Sequence, residues 1–132
     1  MILLDCLHSL LTAWVTYKLI KSAHQTPTRA SSLVALAGIG IFYFTSQLFL
    51  LDFARLSALT LGATFVGMSS HKVINDFEVV IGGLFFAIAF AYITPHLHGV
   101  GGALGFSAFL ALMSSRGLHW CLKSMRNSAV TL

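Results

Sequence analysis

Residues Val79–Thr94 read VVIGGLFFAIAFAYIT, a run with no charged side chain. Apolar stretches of similar character precede and follow it. A helix crosses the hydrocarbon core of a bilayer with about 20 predominantly apolar residues, or fewer where the span is short and packed against protein. The sequence therefore predicts an all-α, polytopic integral membrane helix bundle with five transmembrane spans: Ile2–Ile20, Leu33–Leu51, Phe53–Ser70, Val79–Thr94 and Gly102–Ser115.

The composition agrees with a membrane domain. The chain is 57% hydrophobic and 9% charged, with a mean hydropathy of +0.85, whereas a soluble domain carries about 25% charged residues. Its net charge of +4 comes from basic residues at the ends of the apolar stretches, where they meet anionic lipid headgroups. We therefore predict one transmembrane domain over residues 1–117, a basic cytoplasmic tail over residues 118–132, and no nucleic-acid partner.

The distribution of Lys and Arg predicts the orientation. With the N-terminus outside, every Lys and Arg except Arg55 falls on the cytoplasmic side, and this bias sets the orientation of membrane proteins. The expected location is the inner (cytoplasmic) membrane, with the N-terminus outside and the C-terminus in the cytoplasm. A four-span alternative stays open, in which Ile2–Ile20 lies in the membrane interface and the N-terminus moves inside.

Small residues recur at every fourth position in the last three spans. Lipid supplies no hydrophobic force between helices, so close backbone approach at such positions holds membrane helices together. The pattern predicts helix packing at these positions, and small residues on two faces of one span predict a homo-oligomer. The packing residues are Gly62, Gly67, Gly83, Ala87, Gly101 and Gly105.

The second and third spans resemble the fourth and fifth. One constant shift lays Val34 on Val79, Gly38 on Gly83 and Ala63 on Ala108. Two tandem two-helix repeats would be related by an axis along the membrane normal. Chance agreement within a restricted apolar alphabet is the alternative interpretation.

The first span carries a set of polar residues at steps of three and four, which places them on one side of a helix. We call this set the polar face; it consists of Asp5, His8, Ser9, Thr12 and Thr16. Polar groups are costly in hydrocarbon, so the polar face is expected to contact protein or water. It either lines a polar pathway or bonds to its own backbone, with its first residues at the headgroups.

Acidic residues and imidazoles are predicted to share the outer side of the membrane. We expect an outer vestibule formed by Asp5, His8, Asp52, His96 and His98, and an inner mouth formed by His71, Lys72 and Arg116. Imidazole beside carboxylate suits a proton acceptor or a transition metal. No metal or other cofactor is predicted, and His96-x-His98 is the spacing that would ligate a metal if one were bound.

The predicted function is that of a small transport- or channel-type protein that moves a small ion or solute as a homo-oligomer. The chain has no HExxH, no GxSxG and no phosphate-binding glycine loop, so no enzyme is expected. The alternatives are a non-catalytic membrane subunit that docks into a larger complex and a holin-like pore-former.

Overall fold

A computed structural model describes residues 2–23, 25–49, 52–69, 72–93 and 102–130, with the backbone alone at 45–49 and 128–130. These residues form an all-α protein and contain no strand. Its helices are α1 (Ile2–Ala23), α2 (Pro27–Phe49), α3 (Phe53–Gly67), α4 (Asp76–Tyr92) and α5 (Ala103–Val130). Each one overlaps one predicted apolar stretch. Within the described residues, no helix combines the length and the apolar character that a membrane span requires.

The third helix is the centre of the bundle, because it contacts all four others. The first helix packs chiefly on α4 and α3, and the second lies outside against α3 and α1. The fifth helix packs on α4 and α3. Buried side chains from α1, α3, α4 and α5 form the apolar core, including Tyr17, Leu59, Val66, Val79 and Phe86.

Side chains cap two of the helix starts. The Asp52 carboxylate accepts a hydrogen bond of 3.2 Å from the Arg55 amide at the start of α3. At the start of α4, the Asn75 amide donates to Glu78 Oε2 over 2.9 Å. Both contacts satisfy amides that have no partner inside the helix.

Two helix boundaries differ most from the sequence prediction. The second helix begins at Pro27, six residues before the predicted span, because proline is favoured in the first turn and the Ala30 amide bonds to Thr26 O. The fifth helix continues to Val130, so the part of the predicted tail that the structure describes is helical. Leu, Met, Lys and Arg beyond Arg116 are good helix formers and sustain it.

Candidate functional site

The polar face of α1 is turned into the bundle. Asp5, Ser9, Thr12 and Thr16 are all buried. Ser9 Oγ donates to Gly83 O of α4 over 2.8 Å, and Thr16 Oγ1 donates to Thr12 O over 2.8 Å. These bonds satisfy groups that would otherwise be costly to bury.

An ion pair joins α1 to α3 at the Asp5 end of the polar face. Arg55 Nη2 lies 2.6 Å from Asp5 Oδ2, and the side chains are 29% and 8% exposed, respectively. The pairing compensates the burial of the carboxylate, which would be unfavourable if it were left alone.

His8 lies one turn along α1 and joins three helices. Its Nε2 is 3.0 Å from Thr60 Oγ1 of α3 and 3.4 Å from Thr12 Oγ1. Its ring meets the Phe42 ring of α2 edge-on, with 4.9 Å between centroids. Thr60 Oγ1 donates its own proton to Leu56 O over 2.7 Å. With the Thr60 proton on Leu56 O, Thr60 accepts from His8, and the ring proton is then on Nε2.

The other end of α1 is tied to the start of α4. Tyr17 is buried, and its hydroxyl donates to Ile74 O over 2.7 Å. Lys18 and Lys21 both pair with the Asp76 carboxylate, the second over 3.2 Å. Polar contacts therefore extend along α1 from Asp5 at one end to Lys18 and Lys21 at the other, where these lysines pair with Asp76 of α4.

A buried carboxylate joins the start of α4 to α5. Glu78 is 4% exposed. Besides the Asn75 amide it accepts from His119 Nδ1 over 2.6 Å, so Nδ1 carries the ring proton in this bond. Arg116 donates to Val73 O in the same region. The contacts hold α5 against the connection that precedes α4.

The two carboxylates at this end have lowered pKa values. Hydrogen bonds from Lys18 and Lys21 hold the pKa of Asp76 below its ordinary value. Burial raises the pKa of Glu78, but the bonds from the Asn75 amide and the His119 ring outweigh it, and the net pKa is lowered. Both side chains therefore favour the folded state when they are ionised.

We expect acid to destabilise the protein through these carboxylates. A lowered folded-state pKa contributes stability above the unfolded pKa, and this is lost as pH falls through the folded value. The melting temperature in detergent, followed by circular dichroism, should fall from about pH 6 to about pH 3. The double variant Asp76→Asn/Glu78→Gln should show a weaker dependence. Asp52→Asn is the control, because asparagine caps α3 equally well; equal pH profiles for all three proteins would contradict the expectation.

Four of the predicted packing residues lie at close helix contacts. A Cβ at Gly67 would come within 2.5 Å of Ala13 O, and one at Gly83 within 3.0 Å of Leu10 Cα. A Cβ at Gly62 would overlap the Phe86 ring, and Ala87 is 1% exposed. By contrast, a Cβ at Gly105 would meet nothing within 4 Å.

The remaining predicted residues are scattered or undescribed. Asp52 is the exposed cap of α3, and its side chain contacts the Arg55 amide. Lys72 is exposed in the connection between α3 and α4. Four predicted residues lie outside the described residues: His71, His96, His98 and Gly101. Among the residues that the structure does describe, no three His, Cys, Asp or Glu side chains are grouped as metal ligands.

Several partners of the predicted residues were not predicted from the sequence patterns. Arg55 was identified as the one basic residue on the outer side, but its ion pair with Asp5 was not predicted. The sequence did contain a signal for this pair. Asp5 and Arg55 are both predicted on the outer side at a similar depth, and a charged side chain in a membrane needs a partner of opposite sign. Thr60 gave no such signal, because a threonine in a helix usually bonds to its own backbone, as Thr60 also does through Leu56 O.

The chain was compared with protein families, with curated proteins and with solved structures, and none of them matches it. The fold and the polar face therefore define the class: an all-α bundle with a hydrogen-bonded polar helix face inside.

Proposed function

We propose that the protein is an integral membrane helix bundle that moves a small ion along the polar face of α1. The observation that carries the membrane proposal is that many large apolar side chains are exposed around the apolar core. Leu3 and Phe44, for example, are 75% and 73% exposed, respectively. Small polar residues are buried, including Ser9, Thr64 and Ser107. Exposed apolar side chains of this number and size suit contact with lipid.

The first helix has two different faces, and this supports a transmembrane arrangement. Leu3, Leu4, Leu7 and Leu11 are exposed, opposite the buried polar face. The mean hydropathy of α1 includes both faces, so the exposed face alone is more apolar than the helix as a whole. The 22 residues of α1 extend about 33 Å, close to the thickness of the hydrocarbon core.

The proposed topology has the N-terminus outside and the C-terminus in the cytoplasm of the inner membrane. Lys18, Lys21 and Arg116 lie together at one end of the bundle with Asp76. Arg55 lies beside Asp5 at the other end of α1. This separation of basic residues matches the bias that sets orientation.

Transport is supported by the continuity of the polar contacts. They extend from Asp5 to Tyr17, about 18 Å along the helix axis at 1.5 Å per residue. Burying polar residues over this distance is expensive, and in membrane proteins such residues mark ion pathways. Each side chain of the polar face is hydrogen-bonded. An ion can therefore pass only if these hydrogen bonds are exchanged for bonds to the ion or to water.

Partial compensation of the positive charges reduces the repulsion of a cation or a proton at the end of the bundle that contains Lys18. There, Lys18 and Lys21 pair with Asp76, and His119 binds Glu78. The two carboxylates therefore offset part of the basic charge at this end.

A homo-oligomer remains part of the proposal. Gly105 has open space where a Cβ would lie, and Phe106 and Phe109 near it are exposed. Glycines flanked by exposed aromatic side chains suit close packing against another helix in lipid.

The second candidate is a non-transporting subunit of a membrane complex. The end of α5 favours it, because residues 120–127 are exposed and include Trp120, Leu122 and Met125. In this case the polar face serves only to hold α1 in the bundle, and the end of α5 contacts a partner protein.

Flux into liposomes distinguishes the two candidates. We expect purified protein to remain with carbonate-washed membranes and, once reconstituted, to conduct a voltage- or pH-driven ion leak above that of empty liposomes. Thr12→Val removes one hydroxyl from the polar face with little change in shape and should reduce the leak. Thr64→Val is the matched control, because Thr64 is buried in α3 and bonds to Leu61 O. A folded, inserted protein with no leak would favour the docking subunit.

A further inference from the structure

We propose that His8 is the site that binds the transported ion, and that this ion is the proton. The inference rests on the proposed transport function and narrows it to one substrate. His8 is the imidazole of the polar face, and it lies half-buried between α1, α2 and α3. The neighbouring polar groups Ser9, Thr12 and Thr16 are hydroxyls, which do not change charge in the physiological range.

The hydrogen bonds leave one nitrogen of the ring available. Nε2 carries a proton and donates it to Thr60 Oγ1, whose own proton goes to Leu56 O. In the neutral ring Nδ1 then has a lone pair. Within the described part of the chain, Nδ1 has no hydrogen-bond partner. The ring can therefore take one proton from water at Nδ1, become imidazolium, and return the proton to water without losing the bond to Thr60.

The charged groups nearest to His8 are paired with each other. On α1 the nearest is Asp5, one turn away, and on α3 it is Arg55, paired with that same carboxylate. The contact from α2 is the uncharged ring of Phe42. The Asp5 carboxylate attracts an imidazolium, while Arg55 and burial oppose it. Neither charge state is locked by a strong partner of its own, which a carrier that binds and releases its ion requires.

The oxygen atoms around His8 do not suit an alkali or alkaline-earth cation. Sodium and potassium need several oxygen ligands, and calcium takes six to eight. Here the Thr60 oxygen is already bonded to Nε2, and Thr12 Oγ1 is the other nearby hydroxyl. The Arg55 guanidinium adds a positive charge one turn away. A proton needs only the free lone pair of Nδ1.

The test uses His8→Gln in the full-length protein. Glutamine retains an N–H donor for Thr60 but does not take up a proton. Ring signals of the histidines are followed by NMR in detergent micelles, and the signal missing from the variant is that of His8. We expect this signal to shift as the solution is taken from about pH 8 to about pH 4, because the ring takes up a proton. A signal that stays constant over this range would overturn the proposal.

Proton flux into liposomes gives the second readout. We expect His8→Gln to lose the proton flux above empty liposomes while its melting temperature stays close to that of the unmodified protein. Cys121→Ser, an exposed position on the far part of α5, is the control and should keep the flux. Proton flux that persists in His8→Gln would overturn the role of His8 and leave transport standing. A titrating ring in a protein without any flux would overturn transport instead.

Discussion

Replacing Gly67 with alanine is expected to destabilise the protein by about 1–3 kcal/mol, the usual cost of forcing extra volume into a packed core. The new Cβ would lie 2.5 Å from Ala13 O and 2.6 Å from Thr16 Cβ. The oxygen is a backbone atom, and Thr16 Cβ is bonded directly to the backbone. No rotamer change therefore removes the overlap. The first helix would have to move. On its α4 side, Leu10 Cα would lie only 3.0 Å from a Cβ at Gly83, which leaves little room to do so.

Gly40→Ala is the matched control for this substitution. Gly40 is also helical, but a Cβ there meets nothing within 4 Å. Alanine is favoured over glycine inside helices by roughly 0.5–1 kcal/mol, so the control should be unchanged or slightly stabilised. Gly62→Ala should fall between the two, because the atoms it meets are the tip of the Phe86 ring. Thermal unfolding in one detergent measures all three, and equal shifts for Gly67→Ala and Gly40→Ala would refute the packing argument.

The positions of the helices were predictable, but their ends were less so. Apolar stretches indicated where each helix lies, because an apolar run long enough to bury its backbone forms a helix in either lipid or a packed core. The start of α2 was missed because its first turn is polar and the apolar pattern does not extend to Pro27. The continuation of α5 past Arg116 was missed for the same reason, since a helix does not end where its apolar pattern ends.

The polar face was predictable as a face but not as a set of contacts. Spacing at three and four residues places Asp5, Ser9 and Thr12 together on any helix. Periodicity contains no information about which helix lies opposite, so Gly83 O and Arg55 could not be named as partners. The same limit applies to glycines: Gly67 and Gly105 belong to similar sequence patterns, yet only the first lies against another helix.

Removing the partner of Asp5 is the second change expected to have a large effect. Arg55→Ala should cost about 3 kcal/mol, at the lower end of the range for breaking a buried ion pair. The Asp5 side chain is 8% exposed and would keep a charge with no partner, while Arg55 at 29% exposure retains some contact with the surroundings. Arg126→Ala, on the exposed end of α5, removes the same charge and should change stability by less than about 0.5 kcal/mol.

The double variant Asp5→Asn/Arg55→Met shows whether the unpaired charge is the cause. It removes both charges and keeps side chains of similar size, so it should recover most of the stability lost in Arg55→Ala. The recovery is expected because most of the loss is the cost of an uncompensated carboxylate, and asparagine does not have that cost. If the double variant is instead less stable than Arg55→Ala, the pair itself holds α1 against α3. The contacts of His8 with Thr60 would then depend on the ion pair, because both join the same two helices within one turn.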